Sequence, residues 1–158
     1  MLMNKAQKRL VTNVIGTAVV IAIFILAFAN FKDYVNKTEA IRSFDQLGKA
    51  ILDYRKQYGL LPSESVMEGL RDRMEGAVRI GNLHYRAQWI SIDSPPETIV
   101  AYAEKKYNWF IQSGFIVLRL DGQVQYLPAE QFQKLLAKQE TMAEAEEMKK
   151  SQKSDQRF

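Results

Sequence analysis

Hydrophobic and polar positions divide the chain into one long helical pattern followed by shorter alternating ones. From Leu10 to Phe31 the residues read LVTNVIGTAVVIAIFILAFANF, with no charge between Arg9 and Lys32. About 20 apolar residues suffice to cross a bilayer as a helix, so this stretch is one candidate span. Beyond it the helical pattern continues: Val35, Ile41, Phe44, Leu47 or Gly48, Ile51 and Leu52, then Tyr58, recur at the spacing of one helix face. Lys37, Arg42, Asp45, Lys49, Asp53 and Lys56 fall on the opposite face. Gly59 and Pro62 close the helix. A continuous helix from Leu10 to Tyr58 would extend roughly 70 Å.

The remaining pattern predicts a small head. Ser65 and Glu68 have capping-box spacing ahead of Val66, Leu70 and Met74, which predicts a short helix within 63–76. From Ala77 strands are expected: AVRI, a Gly81-Asn82 turn, then LHYRAQWISID, with Leu83, Tyr85, Ala87 and Trp89 alternating against His84, Arg86, Gln88 and Ile90. Pro95 and Pro96 interrupt the ladder, and ETIVAYA, 97–103, is the next strand. GFIVLRL and QVQYL, joined by Asp121-Gly122, predict a two-residue hairpin, with Asp121 as a turn residue. Pro128 opens a final helix with Phe132, Leu135 and Leu136 on its apolar face. Past Lys138 that face thins to Met142, Ala145 and Met148. Packing is expected to stop near Leu136 or Ala137, leaving 138–158 as a charged, frayed or disordered tail.

The fold class is therefore α+β: a long N-terminal helix on a small antiparallel sheet, with a C-terminal helix. The organisation is a basic segment 1–9, a span 10–31, a head 32–137 containing the stalk helix 32–58, and the tail 138–158. Lys5, Lys8 and Arg9 precede the span, whereas Asp33 and Glu39 partly offset Lys32 and Lys37 beyond it. This bias places the N-terminus in the cytoplasm and the head on the other side of a single-pass inner membrane. A competing reading is a signal peptide, because Ala27-Phe28-Ala29 supplies a small-x-small triplet. Cleavage after Ala29 would release a soluble exported binding module.

Chemistry is sparse. The chain has no Cys and one His, so it has neither a disulfide framework nor a thiolate nucleophile. His84 has no second ligand at metal-binding spacing, which points to a surface or cross-strand role. Asp121 has no second carboxylate placed to work with it. The net charge of +4 is spread along the chain without a basic stripe for nucleic acid. No catalytic residue, metal site, cofactor or small-molecule substrate is evident. Lys105, Lys106, Tyr107 and Trp109 form a basic and aromatic loop that is the candidate partner or headgroup contact; the alternative is a hairpin connection with Trp109 folded onto the core. Within the span, Gly16, Ala18, Ala22 and Ala29 would permit close helix packing, and lipid-facing filler is the alternative.

The order of these elements resembles the type IV pilin and type II secretion pseudopilin family. The resemblance is carried by VVIAI in the span, by DYVNKTEAI and ILDYRKQYGLLP along and at the end of the stalk, and by SPPETIVAYAEKK followed by GFIVLRLDGQVQYLPAEQF in the head. The head segments are similar to pilin-like proteins common in planctomycetes and verrucomicrobia, although Gln123 stands where His usually follows the Asp-Gly turn. The family's leader ends in Gly, followed by an aromatic residue and, four positions later, Glu. Here Gly16 lies inside the apolar run with no Glu near it. The resemblance thus implies a non-enzymatic, pseudopilin-like structural protein on a permanent anchor, whose partners are the membrane and other pilin-like subunits of a secretion or pilus-like assembly. The calcium site of major pseudopilins does not carry over.

Overall fold

A computed structural model describes residues 4–74, 76–107, 111–140 and 144. Helix α1 runs unbroken over Lys5–Tyr58, five residues earlier than the apolar pattern suggests, and Gln7 Oε1 accepts the Asn4 N–H (3.0 Å) at its start. It ends at Gly59 in the left-handed region (φ 70°), whose N–H bonds the Arg55 carbonyl (2.9 Å). In its first half the window that could span a membrane has no buried residue, and toward the end of that half Leu26, Ala29 and Asn30 are half-buried. Its second half buries Ala40, Ser43, Phe44, Leu47, Gly48 and Ile51; of the predicted face, Val35, Ile41 and Leu52 are half-buried and Tyr58, at the end of the helix, is exposed.

The head is a four-stranded antiparallel sheet in the order β1 (Leu83–Tyr85), β2 (Ile99–Lys105), β3 (Gly114–Arg119), β4 (Val124–Pro128). Helix α1 covers one face together with α2 (Glu64–Asp72) and the one-turn α3 (Ala77–Ile80). The other face carries α4 (Ala129–Gln139) through Phe132 and Leu136. Because both faces are covered, the first five residues of β2 are all buried and read as a continuous apolar run. A bulge between Ile99 and Ala101 turns Val100 and Ala101 toward α1 while Ile99 stays on the α4 side.

Four expectations change. AVRI is α3, not a strand. Gly76 and Gly81 both take positive φ and isolate one turn, and Ile80 enters the core while Val78 is 93% exposed. Arg79 ties that turn to α1 through Asn36 Oδ1 (2.5 Å) and Glu39 (3.1 Å). Consequently β1 pairs with β2 and contains only three residues, since Arg86 leaves the strand for a buried ion pair. Helix α2 is capped at Ser63, not at a Ser65–Glu68 box: Ser63 is still extended, and its carbonyl accepts the Met67 N–H (2.9 Å). The β3–β4 loop has three residues, Leu120 to Gly122, since Arg119 and Gln123 still pair through the Arg119 N–H (2.9 Å).

Gly122 is required twice. Its φ is 86°, and a Cβ there would lie 2.4 Å from Leu52 of α1. Asp121 is a turn residue as expected, its carboxylate accepting the Gln123 N–H (2.9 Å).

Packing also continues beyond Ala137, against expectation. The Gln139 side chain accepts the Ile99 N–H (2.8 Å) and donates to the Glu97 carbonyl (3.2 Å), and Glu144 is buried. Met142, Ala145, Met148 and the other residues of 141–143 and 145–158 lie outside the described residues.

Candidate functional site

Three parts of the head carry its chemistry: the base beside the apolar half of α1, the end of α4, and a cleft at the far tip.

At the base, the loop after β2 returns toward the start of the head portion of α1. Lys105 points inward, and its ammonium bonds the carbonyls of Arg79 and Ile80 (2.8 Å to the latter), satisfying the C-terminal end of α3. Burial lowers its pKa. Lys106 is exposed and pairs loosely with Glu104 (3.4 Å). Tyr107 is held by Ser113, which accepts its N–H (3.1 Å) and donates to its carbonyl (3.3 Å). Burial, with Tyr126 and Asp33 adding, pushes its phenol up to about 12. Lys37 sits 3.8 Å over the Tyr126 ring. Of the expected contact residues, then, Lys105 and Tyr107 are built into the head and Lys106 is presented to solvent. Trp109 lies outside the described residues. In the span, a Cβ at Gly16 would meet nothing within 4 Å; Ala18 and Ala22 are exposed and Ala29 half-buried.

On the α4 face, Arg86 and Glu144 form an ion pair with side chains 3% and 2% exposed. Arg86 Nη2 lies 2.8 Å from Glu144 Oε2 and donates to the Gln139 carbonyl (3.1 Å), and Nη1 donates to the Ile99 carbonyl (2.9 Å). The guanidinium therefore joins β1, the β2 bulge and the end of α4. His84 has the expected cross-strand role, stacked on Tyr102 at 5.0 Å opposite it in the ladder. Desolvation lowers its pKa, with Glu104 opposing.

Tyr102 lies beneath α4, and its phenol is pushed from 10.0 up to about 12, first by burial and then by Glu144, with Arg86 opposing. As pH rises, the unfolded chain loses this proton first. The stabilisation is complete below pH 10 and drains away between pH 10 and about 12. Tyr102→Phe is expected to make urea stability fall less across that window than in the parent. An unchanged slope would contradict the assignment.

The cleft at the tip has a volume of about 530 Å³. Tyr54 near the end of α1, Leu60 and Leu61 beyond it, and Tyr85, Ile90 and Ile92 supply apolar walls, while Ser63, Glu64 and Gln88 supply polar groups. Tyr85 is fixed by donating to the Pro62 carbonyl (2.8 Å), and burial raises its pKa. Among the described residues, no three His, Asp or Glu side chains converge as metal ligands.

Sequence reasoning missed both the cleft and the Arg86–Glu144 pair. For the cleft one signal existed: Leu60 and Leu61 extend the apolar run past the helix-ending Gly59, where a solvated turn is expected. Comparison of the chain with protein-family models, with curated proteins and with solved structures finds no match.

Proposed function

We propose that the chain is a non-enzymatic, single-pass, membrane-anchored structural protein, pseudopilin-like in layout, which carries its head on the stalk helix and works through helix packing and head contacts. The observation that supports this is the division of α1: an apolar half whose membrane-length window has no buried residue, continuous with a half built into the core. A helix that served only the head would bury its most apolar stretch there. The head-on-stalk arrangement also suits a subunit of a secretion or pilus-like assembly, with the N-terminus in the cytoplasm and the head in the periplasm. In lipid, Gly16, Ala18, Ala22 and Ala29 would let neighbouring helices approach closely.

Intact-mass measurement of the protein from native membrane and soluble fractions tests the anchor. Full-length mass in the membrane fraction is expected. A soluble species beginning at Asn30 would replace this reading with that of a released binding module.

A further inference from the structure

The cleft at the tip deepens this reading by naming the kind of partner the head receives. We propose that it binds an extended segment of another polypeptide, on the head's side of the membrane, that carries a Lys or Arg beside one or two large apolar side chains. The inference rests on the span assignment through one step only, the height of the cleft.

Shape and polarity come first. Tyr54, Tyr85, Ile90 and Ile92 make apolar walls around about 530 Å³, a volume suited to side chains. Leu60 at the mouth is 51% exposed, so apolar surface stays uncovered at a place where the helix has already ended.

Charge then selects the partner. Glu64 is the one charged residue lining the cleft; it is exposed and makes no ion pair with any described residue. The Arg55 guanidinium donates to the carbonyls of Ile92 (2.9 Å) and Leu120 (3.4 Å) and is not among the residues that line the cleft. An incoming cation next to an apolar group complements this combination, and an incoming carboxylate is repelled.

Height separates a polypeptide from a lipid. At 1.5 Å per residue, the helix from Phe31 to Tyr54 lifts the cleft about 35 Å beyond the last apolar residue of the span. Acyl chains of the bilayer that holds the anchor do not reach that far.

The test uses the full chain in lipid discs and two acetylated, amidated peptides, Gly-Lys-Leu-Leu-Gly-Ser and its Lys-to-Glu counterpart, titrated calorimetrically. The Lys peptide is expected to bind about fivefold more tightly than the Glu peptide, the scale of one exposed charge pair. Glu64→Gln should narrow that ratio to about twofold or less, and Leu60→Ser should weaken both peptides. Both positions are exposed, so the fold survives either change. Equal affinities in the parent, or no saturable binding, would overturn the proposal. So would photo-crosslinking from position 60 in discs, without peptide, into a second copy or into residues 145–158. Failure of the chain to enter discs would be seen before any titration and would count against the anchor alone.

Discussion

Glu144→Ala is expected to destabilise the head by about 3–5 kcal/mol, as breaking a buried ion pair from one side generally does. The cost comes from what remains. The Arg86 guanidinium is nearly inaccessible to water, and without the carboxylate its positive charge keeps only the carbonyls of Ile99 and Gln139. Arg86→Met with Glu144→Leu should recover most of the loss, because replacing both partners leaves no buried charge to compensate. Urea denaturation of the full chain in detergent, followed by circular dichroism, measures each variant. A single-variant loss below about 1 kcal/mol would place the pair among the weakly contributing surface bridges and refute its role in fastening α4 to the sheet.

A second large effect is expected in the membrane. Val20→Lys combined with Ile23→Lys puts two ammonium groups near the middle of the span, at about 2.5–3.5 kcal/mol each. Both parent side chains are more than half exposed and lie in the apolar half of α1, whose membrane-length window has no buried residue. The double variant should therefore lose carbonate-resistant membrane association while an isolated sample keeps the parent's near-ultraviolet dichroism. Retention in washed membranes at the parental level would mean that this segment does not hold the protein there.

These two sites differ in how far the sequence discloses them. The division of α1 was readable because its cause is local: uninterrupted apolar residues, then the spacing of Phe44, Leu47 and Ile51, then Gly59. The β3–β4 hairpin was readable from Asp121-Gly122, although its third loop residue depends on the Arg119–Gln123 bond. AVRI misled because four residues, of which only Val78 and Ile80 are β-prone, carry little information against Gly76, Gly81 and the Lys105 ammonium that satisfies the turn. Arg86 sat at a polar position of an apparent alternation, and its partner stands 58 residues away in a stretch that reads as solvated tail. No window of pattern joins them. The cleft is similarly a product of tertiary assembly, made by the end of α1, the start of α2 and the loop after β1.

On the proposed anchoring, the unbroken course of α1 would also make the head mechanically dependent on the bilayer. There is no Pro between Lys5 and Tyr58, and the head portion is fixed by buried Phe44, Leu47 and Ile51. A change in tilt of the span must then swing the whole head as a lever arm. For a helix leaning by the roughly 20° common for spans, a point about 35 Å up the arm moves sideways by about 12 Å. Bilayer thickness and lateral crowding would then act as steering forces on the tip, and on the proposed role of the cleft they would set which neighbours it reaches without any rearrangement inside the head.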